Sequence, residues 1–406
     1  MILECEKTNL LGKIFAFVIA ILPFLAMYRS GVPGFSLADV VLVLCGFVVL
    51  LNLSNKVNFC VADTTLFFCG LGFLLLFLFL SSLLQGRIDV NCFIRTIRYL
   101  FYVAIVFLVS SKSNLFFLKR MIVAISLVST CYIIIQTILY DLFGVVLHGY
   151  FSVIPLYVDG YATLDYEHIY SSIMFRPTSF FLEPAHYARY VLIALCLIFF
   201  DGTTVQTKKI LWATFISFGI LLSTSSQGYV IMLFLWLAFF ALKRNYIESV
   251  WLRNLVLGIV VFLPLCFLAL LELDFVNNTI NRSFDNDSLS SNGAFGARMN
   301  GLFSFVELPM IYKIIGMGFG AVPKVWVSSF GYWLYGTGVF VTVLYLAFMI
   351  KNSISLSKSN KWVFVVFCLL FVSDDSFYSY MLIPFLTLSF YVPISQIAKD
   401  LLVRHE

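Results

Sequence analysis

The residues best equipped for chemistry are concentrated in one stretch, FRPTSFFLEPAHYARY, running from Phe175 to Tyr190. Pro184 suits the first position of a helix, where a missing N–H costs nothing, and Glu183 stands just before it. A helix N-terminus presents N–H groups without intrahelical acceptors and a partial positive charge, and so favours anions. His186, Arg189 and Tyr190 recur at three- and four-residue spacing, which puts them on one face of that helix. Arg176, in the segment expected to fold back on the same helix end, adds a second guanidinium. Among these cations Glu183 stays ionised. A carboxylate or imidazole so placed can take a proton from a hydroxyl, and paired guanidinium groups can hold a phosphate. The same residues also make a self-neutralising loop anchor, Glu against Arg with His as a cap, and both readings stand at this point.

Other polar groups are sparser. Arg95 and Arg98, three apart, share a helix face directed either into a bundle or at lipid headgroups. The turn STSSQGY, Ser223 to Tyr229, offers Ser225 and Gln227 to a sugar, or to helix ends in need of capping. Arg298 falls within a helical pattern that runs from Ala294 to Leu308. Asp374 and Asp375 serve a sugar hydroxyl, a cation or only a solvated turn. The nine cysteines contain no C-x-x-C pair. Cys45, Cys69, Cys131, Cys196, Cys266 and Cys368 sit in apolar runs as small hydrophobes, so neither a metal nor a redox cofactor is expected.

The elements that position these residues follow from composition. The 406-residue chain is 61% hydrophobic and 12% charged, with a mean hydropathy of +0.99. A soluble domain is about half apolar and about a quarter charged. A soluble enzyme, a nucleic-acid binder and a disordered chain are thereby excluded. The expected fold is all-α, a polytopic integral membrane protein with about twelve transmembrane helices in a single domain, 1–406. Apolar runs fall near 12–28, 36–52, 64–84, 92–110, 118–140, 185–201, 208–223, 227–243, 251–271 and 329–350. A longer run, 362–395, is divided by Ser373, Asp374, Asp375 and Ser376 into a hairpin. No small-residue cleavage site follows the first run, so it reads as a retained helix.

Basic residues orient the bundle. With the N-terminus cytoplasmic, alternate connections carry Lys56, Lys112, Lys119, Arg120, Lys208, Lys209, Lys243, Arg244, Arg253, Lys351, Lys358 and Lys361. Lys399 and Arg404 bring the C-terminus to the same side. The outer half then holds mostly arginines: Arg29, Arg87, Arg95, Arg98, Arg176, Arg189, Arg282 and Arg298. Lysine suffices for topology, whereas the planar guanidinium suits bidentate phosphate binding. Charged residues at membrane depth are costly and tend to mark sites. Both long loops, about 141–184 and about 272–328, also fall outside. Asn277 to Gly293 is polar and aperiodic, and its N-x-S/T triplets arise readily in an Asn/Ser-rich tract.

These segments resemble, in order, those of the O-antigen polymerase and ligase superfamily of bacterial surface-polysaccharide assembly. FRPTSFFLEPAHYARY is similar to its R…EP-x-x-x-A segment, and LLSTSSQGYVIMLF to its L-S/T-x-S-R/Q-G helix start. GARMNGLFSFVELPMIYKIIGMGFGA is similar to its G-x-R…P…G-x-G-x-G loop and puts Arg298 on the family arginine. FGYWLYGTGVFVTVLYL resembles the helix that follows. The likeness runs from Arg176 to Leu346. Ligases usually carry a His just before that last helix; VWVSSFGYW has none, which points to a polymerase. The TSSQG turn also lacks the common Arg, which ranks Gln227 below Arg176 and Arg298.

The resemblance implies a GT-C-like architecture with two periplasmic loops in the bacterial inner membrane. It further implies metal-independent transfer of a glycan from undecaprenyl pyrophosphate onto a lipid-linked repeat unit, with a chain-length regulator as a possible protein partner. Arg176, Arg298 and Arg189 would then face the pyrophosphate, with Arg95 and Arg98 beside them. Glu183 or His186 would be the base, and Ser225, Gln227 and Tyr190 would contact substrate. The opposing class is a flippase or other carrier, for which broken helices and mid-membrane charge are the expected marks.

Overall fold

Apolar helices without polar faces must pack against one another or against lipid, and the described helices pack against one another. The computed structural model describes residues 10–32, 35–51, 104, 109–110, 112–151, 153–157, 175–202, 207–243, 251, 254, 256–258, 302–318, 327–354, 356–373 and 382–390. Among them the regular structure is helical and no strand occurs. The helices are α1 (Leu10–Leu25), α2 (Leu37–Leu51), α3 (Leu115–Phe143), α4 (Pro184–Phe200), α5 (Thr207–Ser223), α6 (Ser226–Lys243), α7 (Met310–Ile315), α8 (Ser329–Ile354), α9 (Lys358–Ser373) and α10 (Leu382–Phe390). Helices α3, α6 and the stretch Ser329–Ala347 of α8 are long and apolar enough to cross a membrane. Helices α1, α2 and α4 are apolar but shorter. The protein is thus an all-α membrane protein. The expected span at 64–84, and most of those at 92–110 and 251–271, lie outside the described residues.

Two compact units divide the chain: Met1–Leu44, Ser113–Arg282 and Lys358–Val366 form one, and Cys45–Lys112, Ser283–Ser357 and Phe367–Glu406 the other. In the first unit α4 is the central element. It is apolar on every side, every residue from Tyr187 to Phe200 is buried, and α3, α5 and α6 pack around it. Close approach needs small residues. A Cβ on Gly228 would lie 2.8 Å from Ala188 Cβ, so the glycine brings α6 against α4. A Cβ on Gly219 would collide with Tyr187 Oη and lie 2.7 Å from Thr130 Cγ2. Tyr187 Oη and Thr130 Oγ1 share a 2.8 Å hydrogen bond in that space. Gly219→Ala is therefore expected to cost about 2 kcal/mol. Part of that cost should disappear in a Tyr187→Phe background, as thermal unfolding of the four variants in a cycle would show.

At the C-terminal end of α4 lysines gather. Lys119 Nζ donates to Asp201 Oδ1 at 2.9 Å and to Ser359 Oγ at 2.9 Å. Ser359 Oγ also bonds Asp201 Oδ1 at 2.9 Å. Lys209 and Lys243 donate to the carbonyls of Asp201 and Gly202 at 2.7 and 3.1 Å. Burial alone would raise the Asp201 pKa. The Lys119 charge and hydrogen bond, the Ser359 hydrogen bond and the Lys209 charge outweigh it, and the net shift is downward. A lowered folded pKa means stability that is present above the unfolded value of about 3.9 and lost as pH falls through the folded one. The Asp201 side chain is 48% exposed, so the effect is about 1 kcal/mol or less. The advantage of the native protein over Asp201→Asn should shrink below about pH 4 in thermal melts.

The opposite end is tied by backbone and aromatic contacts. Arg29 N–H donates to Pro155 O at 2.9 Å and Tyr157 N–H to Met27 O at 2.7 Å, so the α1–α2 turn holds Pro155 and Tyr157. Ser36 and Asp39 form a buried cap on α2, with Ser36 N–H and Oγ donating to Asp39 Oδ2 at 2.7 and 2.9 Å. Phe24, Phe181 and Tyr190 stack their edges and faces between α1 and α4. Helix α3 runs three residues beyond the expected span and ends at Gly144, whose φ of 65° suits glycine.

The second unit is organised by a break. Helix α8 departs from helical geometry at Gly338, with φ 72° and ψ 175°. The backbone that follows α7 enters the gap. Met317 N–H donates to Tyr335 O at 2.7 Å and Gly318 N–H to Gly336 O at 2.9 Å, satisfying carbonyls that the break leaves without helical partners. Thr337 Oγ1 and Thr342 Oγ1 donate to Trp333 O and Gly338 O at 2.9 and 2.6 Å. A Cβ on Gly316 would meet the Gly336 carbonyl and Gly338 N. The GMGFG stretch, expected as loop, thus begins as a backbone graft onto α8, and α7 before it is a helix that hydropathy left unmarked.

Candidate functional site

The site is built where α4 begins. Pro184 opens the helix and Glu183 is its N-cap in extended conformation, so the helix starts at the residue expected from the sequence. The segment before it, Phe175 to Phe181, is folded back on α3. Tyr140 stacks on Phe175 at 4.4 Å and Tyr132 on Phe180 at 4.4 Å. Gln136, buried on α3, ties it to the chain that follows α3: Oε1 accepts Ser179 N–H and Nε2 donates to Leu147 O, each at 2.8 Å. Ser179 Oγ donates to Ser129 O at 2.8 Å.

This folding delivers Arg176 to the α5–α6 turn. Its Nε donates to Thr224 Oγ1 at 3.0 Å and one terminal nitrogen to Thr224 O at 3.5 Å. Two of the segments singled out in the sequence, FRPTSFF and STSSQG, therefore meet through one side chain. Tyr229 lies close enough to Arg176 to feel the guanidinium charge, and its hydroxyl donates to Leu221 O. Among the described residues only Ser179 and Thr224 combine a side chain with positive φ, at 55° and 57°. Such backbone states cost about 1–3 kcal/mol each and persist where packing over-determines them, commonly at functional sites. Both flank Arg176.

The predicted residues divide by surroundings. Glu183 is exposed, does not cap α4 with its side chain, and forms no ion pair with a described residue. His186 is half-buried one turn along, its N–H on Glu183 O at 3.0 Å. Arg189 is 4% exposed, inside the bundle. Tyr190 faces the same interior, and its hydroxyl donates to Ala20 O at 2.9 Å, tying α4 to α1. The surrounding helices, not an open face, decide these positions. Ser225 caps α6, its Oγ accepting Gly228 N–H at 3.3 Å, and Gln227 is half-buried in the first turn. Arg95, Arg98, Arg298, Asp374 and Asp375 lie outside the described residues.

Sequence reasoning missed Gln136 and Thr224. Gln136 had a signal, an amide in the middle of an otherwise apolar span, where a polar group must find a partner. Thr224 had none, because its role rests on a backbone angle. Chemically, the described residues include a guanidinium with a fixed plane, an exposed carboxylate and a half-buried imidazole. A guanidinium suits an anion, and a carboxylate or imidazole can accept a proton. No known protein family matches the chain, and neither does any curated protein.

Proposed function

We propose that the protein polymerises lipid-linked oligosaccharide repeat units on the outer side of the bacterial inner membrane, within about twelve transmembrane helices of GT-C-like arrangement. The observation that carries this reading is the Arg176–Thr224 contact, which joins two of the segments on which the resemblance rests. Met317 and Tyr335, from the other two, are joined through their backbones.

In this reaction a hydroxyl of the acceptor repeat unit attacks the anomeric carbon of the donor glycan. The carbon–oxygen bond to undecaprenyl pyrophosphate breaks, and the pyrophosphate departs with the electron pair. Glu183 or His186 takes the acceptor proton. Arg176, with Arg298 and Arg189, stabilises charge growing on the leaving group, the electrostatic role that dominates such transfers. Arg95 and Arg98 extend the cationic field, and Gln227 and Ser225 border the sugar. The apolar exterior accommodates the polyprenyl tails.

One observation favours a second reading. The break in α8 at Gly338 is of the kind found in carriers, which makes a lipid-linked oligosaccharide flippase the alternative. Deleting the gene and separating the surface polysaccharide on a gel decides between them. A single repeat unit on the lipid core supports the polymerase; loss of every repeat unit supports the flippase, or a ligase.

A further inference from the structure

Residues 302–318 belong to a stretch expected as a long loop outside the membrane, yet their attachment sets them along the span in α8. That span, Ser329–Ala347, has 19 residues. It measures about 28 Å against a hydrocarbon core of about 30 Å, so its two ends lie close to the two edges of the core. Near the first edge Leu302 meets the span, since a Cβ on Gly331 would lie 3.3 Å from Leu302 Cδ2. Phe305 packs edge-on against Tyr335, with ring centroids 5.2 Å apart. Met317 N–H bonds Tyr335 O, about 9 Å along the helix from Ser329. The Ile314 carbonyl lies against Gly338, about 13 Å along. The segment therefore follows α8 well into one leaflet.

At that depth irregular backbone is tolerated only where protein covers it, whereas a helix can meet lipid directly. The segment is divided in just this way. Gly316 and Gly318 are buried, and the N–H groups of Gly316, Met317 and Gly318 bond Tyr312, Tyr335 and Gly336 carbonyls. The exposed part, α7, is helical. Its exposed side chains are Met310, Ile311 and Ile314, all apolar, while Lys313 is half-buried. Phe303 and Val306, one turn of chain earlier, are 64% and 65% exposed, and Glu307 lies in the turn before α7. Val339 and Phe340, next after Gly338, are exposed on the span itself. The apolar surface at Ile314 thus continues the face that α8 turns outward from its own packing. We infer that residues 302–315 lie within the bilayer, in the leaflet where α8 begins, with Met310, Ile311 and Ile314 against lipid acyl chains.

The test uses the full chain reconstituted in phosphatidylcholine vesicles. The photoreactive residue benzoylphenylalanine replaces Met310 or Ile314, with Val343, exposed on the span itself, as the reference position. After irradiation, mass spectrometry should show the gain of one phosphatidylcholine at Met310 and Ile314, as at Val343. Alkaline hydrolysis should then leave a fatty acid on the protein, because the side chains meet acyl chains and not headgroups. Headgroup adducts alone, no lipid adduct where Val343 gives one, or crosslinks to another protein chain in its place overturn the inference. Should the altered chains fail to fold, the unaltered chain serves. A membrane-soluble aryl diazirine should label the peptide that carries residues 310–314. Labelling of that peptide by a water-soluble carbene reagent instead overturns the placement. Neither outcome depends on the reaction proposed for the protein.

Discussion

Arg176→Lys is expected to lower chain extension by about 10²–10³-fold, nearly as far as Arg176→Ala, with unchanged protein level in the membrane. The argument lies in the fork. Arg176 uses Nε and a terminal nitrogen on the hydroxyl and carbonyl of one residue, Thr224, which fixes the guanidinium plane. A lysine ammonium keeps the charge but neither the plane nor the paired donors. If the role of Arg176 were only to supply positive charge, Lys would restore most of the activity. If it were only a clamp between loops, both variants would lower thermal stability and transfer together. Thr224→Gly separates these effects, since glycine accepts a φ of 57° without strain yet has no hydroxyl. That variant should hold its melting temperature and lose transfer to an intermediate degree. The measurement is incorporation of labelled repeat units in isolated membranes, read with the polysaccharide ladder. An unaltered ladder in Arg176→Ala removes this residue from the reaction.

Gly338→Ala is expected to destabilise the protein by at least about 3 kcal/mol. A φ of 72° with ψ near 175° is open to glycine and almost nothing else. The added Cβ would also strike the Ile314 carbonyl and lie 2.7 Å from Gly316 N, where the backbone of 316–318 enters the break. Relief would require expelling that segment, leaving the Tyr335 and Gly336 carbonyls without their donors. Gly258→Ala is the control, because among the described residues nothing lies within 4 Å of its Cβ position. Thermal unfolding in detergent should show a large fall in Tm for the first and little change for the second. Equal behaviour would mean that the break is dispensable.

Much of this was legible without coordinates. Apolar run lengths located α1 to α6, α8 and the start of α9 to within a few residues, since a membrane helix needs a length and a composition and little else. Pro184 announced the start of α4 because proline is tolerated there and hardly anywhere further in. The lysines that were assigned to one side by loop position, Lys119, Lys209, Lys243 and Lys358, do meet at one end of α4. Less legible was which face each polar residue takes. Helical spacing put His186, Arg189 and Tyr190 together, yet α4 is surrounded, so Tyr190 is committed to Ala20 while His186 stays near the surface.

The scarce charge and its placement were thus determined by the sequence alone: which segments are helices, where α4 begins, and where lysines collect. Each depends on the chain's local composition and on the cost of moving charge into lipid. Tertiary structure decided the rest. Arg176 reaches Thr224 across 48 positions because Gln136 and two aromatic stacks fold its segment back. Helix α8 breaks because a distant backbone supplies the donors its carbonyls lose. Both depend on contacts between residues far apart in the chain, and on backbone angles that side-chain identity does not reveal.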